Sequence, residues 1–266
     1  FNMAKSSYYY QRAVMNKPDK YLSYRAQITA IFQENRGVYG YRRIYLALKR
    51  EGVILSEKII RRIMKEEELT VLLSKKRKYS SYLGEITPEV ENIVSRDFHA
   101  DQPYEKLLTD ITEFAIPSGK LYLSAMIDCF DGKVAGWTTG TRPNADLVNT
   151  MLDQVIANLP EGCHPVVHSD RGCHYRWPGW IDRMNGAGLI RSMSKKGCSP
   201  DNAACEGFFG RLKNEMFYGR SWEKVSLDDF RQEIDRYINW YNHKRIKISL
   251  GGLSPIEYRH HLGFAA

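Results

Sequence analysis

The chain has 266 residues, 43% of them hydrophobic, and carries 39 Lys+Arg against 31 Asp+Glu, a formal net charge of +8. That balance excludes disordered, collagenous and rod-like coiled-coil chains, and the length suggests two domains. Purely apolar runs such as Ala125 to Ile127 fall far short of the ~20 residues a membrane helix needs, and no signal peptide is legible.

The charge is uneven. Residues 1–80 hold 18 Lys+Arg and 7 Asp+Glu, net +11, residues 81–100 are net −3, and residues 101–266 hold 20 of each. A basic head before a balanced body points to a polyanionic partner, because each cation set against a phosphate releases condensed counterions. Five cysteines, Cys129, Cys163, Cys173, Cys198 and Cys205, are an odd number without a secretion signal, which favours reduced thiols and a cytoplasmic location. The chain opens at Phe1 without a Met, so a fragment or processed form is expected.

In the head, Ile28, Ile31 and Phe32 mark a helix over residues 24–35, Tyr39-Gly40-Tyr41-Arg42-Arg43-Ile44 opens a second ending at Gly52, and Ser56 caps a third running to about Leu69. In the third, Ile59, Ile60, Ile63 and Met64 form an apolar stripe, while Lys58, Arg61, Arg62 and Lys65 line another face. Three short helices with a cationic last one fit a helix-turn-helix that enters the major groove. Arg61 and Arg62 are the expected base readers, since a guanidinium fork matches a guanine edge. Lys75-Lys76-Arg77-Lys78 read as a linker able to lie along a phosphate backbone.

From Glu105 the pattern changes to strands: residues 107–112, 121–128 and 133–139, with Ser118-Gly119 and Asp131-Gly132 as turns. Asn144 caps a helix with Leu147, Val148, Met151, Leu152, Val155, Ile156 and Leu159 on its apolar face. A short strand at 165–168 runs into Ser169-Asp170, a helix near 180–185 and a strand at 189–193 follow, and two strong helices close the order βββαβαβαα. This implies a mixed sheet with flanking helices. In the first closing helix Cys205, Phe208, Phe209, Leu212 and Met216 make the buried stripe, leaving Asn202, Glu206, Gly210 and Lys213 on another face.

Asp110, Asp170 and Glu206 thus stand on three elements of one frame. Phosphodiester chemistry needs a deprotonated nucleophile and a stabilised leaving oxygen, which two divalent ions held by carboxylates supply. Two alternatives compete. Cys163, His164, His168, Cys173 and His174 crowd together but with poor zinc spacing and no CxxC. A non-catalytic DNA-binding repressor would explain the head and leave the acids without a purpose.

The segments Leu108-Thr109-Asp110-Ile111-Thr112, His168-Ser169-Asp170-Arg171-Gly172 and the run from Ser199 to Glu215 around Glu206 resemble the three acidic motifs of integrase-core transposases of bacterial insertion sequences. The 35 residues between Asp170 and Glu206 match the DD(35)E spacing shared with retroviral integrases. The Tyr39 to Ile44 segment resembles the family's helix-turn-helix, and Tyr241-Asn242-His243-Lys244-Arg245 with Leu250-Gly251-Gly252-Leu253-Ser254-Pro255 its C-terminal signature. Cys173, His174 and Cys198 depart from the small or polar residues usual there. The chain looks like the downstream, catalytic half of a transposase encoded in two overlapping frames.

The resemblance implies an α/β fold: an RNase H-like mixed sheet with flanking helices, preceded by a small all-α helix-turn-helix domain. Expected boundaries are 1–72 for the helix-turn-helix region, 73–100 for a basic linker, 101–225 for the catalytic core and 226–266 for a C-terminal helix and tail. Asp110 would bridge two Mg²⁺ ions, with Mn²⁺ able to substitute, and Asp170 and Glu206 would each complete one coordination shell. DNA contacts are expected from Arg42, Arg43, Lys58, Arg61, Arg62, Lys65, Lys75, Lys76, Arg77, Lys78, Asn202 and Lys213. The expected function is strand cleavage and transfer at element ends, with double-stranded DNA, a homo-oligomer of at least two copies and the upstream transposase half as partners, and no membrane. An RNase H-fold nuclease is the runner-up.

Overall fold

The computed structural model describes residues 4–15, 19–71, 90–194 and 202–265. These fall into two units divided after Val71.

The first unit opens with α1 (Lys5–Met15), which the apolar pattern did not announce, followed by α2 (Leu22–Glu34), α3 (Tyr41–Arg50) and α4 (Glu57–Glu66). Ser56 caps α4, its hydroxyl accepting from the Ile59 amide. The core of the three expected helices is Ile28, Ile31, Ile44, Leu48, Ile60, Ile63 and Met64, all buried, while Ile59 is only half-buried. A turn with Gly52 at φ 78°, a conformation only glycine adopts cheaply, separates α3 from α4. Arg25 of α2 ties the helices together, pairing with Asp19 and with Glu66 and Glu67 at the end of α4.

The second unit is built on a sheet of strand order β3-β2-β1-β4-β5. Here β1 (Lys106–Ile116), β2 (Gly119–Asp128) and β3 (Val134–Gly140) form an antiparallel meander, and β4 (Val166–Ser169) and β5 (Ile190–Met193) run parallel to β1. A parallel neighbour needs a crossover, and α5 (Ala145–Ala157) supplies the one from β3 to β4. Its cap is Asn144, whose side-chain oxygen accepts from Leu147 N at 3.1 Å. Gly136 lets α5 lie close on β3, because a Cβ there would stand 2.5 Å from Val155.

Successive strand residues face opposite layers. Leu107, Met126 and Val167 pack with α5 and with Trp180 and Met184 of α6 (Pro178–Gly186). Leu108, Phe114, Leu121 and Leu123 pack instead with Cys205, Phe208, Phe209 and Leu212 of α7 (Ala203–Leu212) and with Phe230, Ile234, Tyr237 and Tyr241 of α8 (Leu227–His243). α7 and α8 therefore share one core layer. Between α7 and α8 the chain makes a π-helical turn over Lys213–Phe217, closed by Tyr218 N donating to Lys213 O at 2.7 Å.

The C-terminal signature residues are structural. Asn242 accepts from Val134 N at 2.9 Å and donates to Val134 O at 3.0 Å, so its amide pairs β3 as a strand would. Arg245 is 2% exposed and grips Glu215, which also accepts from Tyr237. Ser254 and Glu257 form a capping box on α9 (Pro255–His261). From α9 the fully buried Arg259 reaches Asp131 and Asp128, each at 2.7 Å. No helix among the described residues is long and apolar enough to cross a membrane.

Candidate active site

Asp110 sits in the central strand β1, paired across to Ala125 of β2. On the other side β4 ends at Ser169, opposite Thr109, so Asp170 leaves the sheet alongside Asp110. The two acids lie where two parallel strands part at the centre of the sheet. Both line a pocket of about 260 Å³, together with Glu113, Tyr122, His174 and Tyr175.

Burial, then the charge of Asp170 and more weakly that of Glu206, lifts the Asp110 carboxyl from the ordinary 3.8 to about 7, against the opposing pull of the Ile111 amide and Lys213. Asp170 is also raised by burial, with the Gly172 amide opposing; that N–H donates to Asp170 Oδ1 at 2.9 Å. An aspartate side chain accepting from the amide two residues on is an Asx-turn, a local bond that braces Asp170. A fixed low-dielectric site that raises carboxyl pKa values in this way is common where a charged ligand is to be bound.

Glu206 stands in the first turn of α7 and is exposed, outside the pocket wall. Its helix is anchored through the expected stripe, Cys205, Phe208, Phe209, Leu212 and Met216, all buried. Its charge is felt at Asp110, yet among the described residues no three His, Cys, Asp or Glu side chains stand close enough to hold a metal ion. Carboxylate oxygens are the right donors for a hard divalent cation, and Asp110 with Asp170 fits one; Glu206 belongs to the same electrostatic group without completing a cage. Asn202, at the N-terminus of α7, is 4% exposed, and among the described residues neither polar atom of its side-chain amide has a hydrogen-bond partner.

Lys213 lies on the acid side. Its ammonium is 5.4 Å from the Phe114 ring centre, and its pKa is lowered by burial, with Glu113 and Asp110 opposing. In the head, Arg42, Lys58, Arg61, Arg62 and Lys65 are exposed, and Arg43 lies half-buried over Tyr39. Lys75, Lys76, Arg77, Lys78 and Cys198 fall outside the described residues. Of the zinc alternative, the His168 ring nitrogens bond Ser192 and Ser194 and Cys163 points at the Tyr104 carbonyl, while Cys173 and His174 touch each other. Tyr122, Tyr175 and Glu113 also line the pocket, though nothing in their spacing distinguishes a pocket wall from a strand or helix position.

An Integrase core domain matches residues 100–199 and again residues 206–262, and an HTH-like domain matches residues 22–78. The chain is 42% identical over 255 residues to InsK, named as the transposase of insertion sequence element IS150 of Escherichia coli K12, covering 96% of this chain and 89% of that protein. It belongs to the insertion-sequence transposases. A second member, named as the transposase of IS1353 from Shigella flexneri, is 57% identical over 98% of this chain, which spans 51% of that protein's length. The HTLV-2 integrase catalytic core domain, solved in complex with magnesium, superposes at a TM-score of 0.46 with 16% identity, covering 59% of this chain and 97% of that one. In this transposase family member the sheet is the RNase H-like integrase core, preceded by a helix-turn-helix domain.

One consequence concerns stability in metal-free buffer. The unfolded chain releases the Asp110 proton near the ordinary 3.8, whereas the folded protein keeps it to about 7. Stability therefore falls as pH rises between those values, and the full cost is present above the higher one. Asp110→Asn removes that cost: the variant is more stable than the parent by about 0.5–2 kcal/mol near pH 8, and the gap closes near pH 4. Thermal melting across this range measures it, and a gap that does not depend on pH contradicts the charge account.

Proposed function

We propose that the chain carries out DNA strand cleavage and strand transfer at the ends of an insertion sequence element, with Asp110, Asp170 and Glu206 as its catalytic carboxylates and Mg²⁺, or Mn²⁺ in its place, as cofactor. The observation that carries this reading is the pairing of β1 with β4, which sets Asp110 beside Asp170 in a pocket where burial and their own charges hold Asp110 near 7. Bound divalent ions would supply Lewis-acid activation of the attacking oxygen and neutralise charge on the leaving oxygen. Water attacks the phosphorus and the P–O3′ bond breaks to leave a 3′-hydroxyl; in transfer that hydroxyl attacks a target phosphate and the target strand's own 3′-oxygen departs. The chain's part is to hold the acids: the Gly172 amide orients Asp170, and the buried stripe of α7 fixes the backbone under Glu206. Lys213 is a candidate contact to the phosphate beside the scissile bond, and the exposed cations of the head bind the duplex.

Incubation of a supercoiled plasmid bearing candidate element ends with the protein, Mg²⁺ and the upstream transposase half tests the reading. Joined ends are the expected product. Simple nicks would make the protein a nuclease, and binding without cleavage under any divalent ion would make it a repressor.

The brace on Asp170 gives a second expected result. A Cβ at Gly172 would stand 2.9 Å from Asp170 Oδ1, so Gly172→Ala displaces that carboxylate, which can swing away at little cost to the fold. Melting should shift by less than about 0.5 kcal/mol-equivalent, while strand joining falls by about 10²-fold, the effect of misplacing a reacting group by an ångström. Unchanged joining would remove Asp170 from the chemistry.

A further inference from the structure

The sequence offers Arg61 and Arg62 as equivalent base readers, and the structure separates them. On a helix, adjacent residues point about 100° apart. Arg62 turns toward α2: its Cζ lies 5.2 Å from the Tyr21 ring centre and its Nε 3.6 Å from Glu66. Glu66 in turn is held by Arg25, which also grips Asp19 and Glu67. The charge of Arg62 is thus engaged in the network that fastens the start of α2 to the end of α4. Arg61 turns toward α3, where its Cζ lies 5.7 Å from the Tyr41 ring centre. The same ring carries Arg42, Cζ at 5.4 Å. Neither Arg42 nor Arg61 is ion-paired with a carboxylate among the described residues.

Tyr41 opens α3 and Arg61 is the fifth residue of α4. In a helix-turn-helix the second helix lies in the major groove while the first crosses the backbone, so the ring stands where the two helices of the pair meet the duplex. A guanidinium stacked on an aromatic face keeps its N–H edge free and loses less rotamer freedom on forming a bidentate bond. We propose that Tyr41 is a positioning residue that presents Arg61 to a guanine edge in the major groove and Arg42 to a backbone phosphate, and that Arg62 reads no base. The inference rests on the reading of the head as DNA-binding.

Selection of a randomised duplex library by the full chain, followed by affinity measurements on the selected and a scrambled duplex over a salt series, tests it. Arg61→Ala should erase one guanine position and cost about 5- to 100-fold in preference for the selected duplex. Tyr41→Leu should weaken the same position while Tyr41→Phe, which keeps the ring, restores it; melting of both variants controls for folding. Arg42→Ala should weaken both duplexes alike and flatten the salt slope by about one unit. Arg62→Ala should lower the melting temperature and leave the motif intact. The inference is overturned if Arg61→Ala or Tyr41→Leu selects the parental motif, or if Arg62→Ala loses it. A parent that binds duplexes without any motif also overturns it, whereas a parent that binds no duplex removes the DNA reading of the head itself.

Discussion

Asp110→Asn, Asp170→Asn and Glu206→Gln are each expected to lower strand cleavage and joining by about 10³-fold or more while duplex binding by the head persists. The size follows from what each carboxylate is asked to do. Charge stabilisation through a bound ion is worth several kcal/mol at the transition state, and each 1.36 kcal/mol is about tenfold in rate. The neutral isosteres keep the shape of the pocket and remove only the charge, and the Asp110 variant relieves repulsion that burial makes costly. Loss of chemistry should therefore accompany equal or higher thermal stability, a combination that a folding defect cannot produce. Full activity in any one of the three variants would strike that residue from the catalytic set.

Arg259→Ala should destabilise the catalytic unit by about 3–5 kcal/mol, the cost of leaving buried charges without their partner. The guanidinium and both its acids, Asp128 and Asp131, are fully buried as side chains. Arg259 also lies over the Tyr104 ring at 4.8 Å, and Asp128 accepts from the Tyr104 and Phe130 amides. Burial raises the Asp128 carboxyl and the charge of Arg259 is the strongest influence opposing it. Without Arg259 the acid must take up a proton to remain buried, so the loss should be larger near pH 8 than near pH 5. The denaturant midpoint should fall with the slope unchanged; an unchanged midpoint would show that α9 is not needed to hold the turn between β2 and β3.

The contrast between these two sites explains what could be read in advance. Asp110, Asp170 and Glu206 lie in short contiguous motifs, and the alternation of Leu107 with Leu108 or the spacing of Cys205, Phe208, Phe209 and Leu212 follows directly from the period of a strand or helix. Ser56 and Asn144 were legible as caps because a cap acts within three residues. Arg259 meets Asp128 and Asp131 across more than a hundred residues, and Asn242 meets Val134 likewise; no local period encodes a partner at that range. The same limit hid the difference between Arg61 and Arg62, which share a cationic helix face in sequence but acquire opposite neighbours, Tyr41 and Glu66, only when α2 and α3 pack against α4.

If three acids from β1, the end of β4 and α7 act together on divalent cations at the scissile phosphate, those cations must lie among their carboxylates. Anomalous diffraction from crystals of the full chain bound to an element-end duplex and grown with Mn²⁺ tests it most directly. Peaks are expected between the carboxylates of Asp110 and Asp170 and between those of Asp110 and Glu206, with Glu206 drawn in, and both are lost in Asp110→Asn. A complex that joins strands in the same Mn²⁺ buffer while its only peak lies away from these three residues would contradict it.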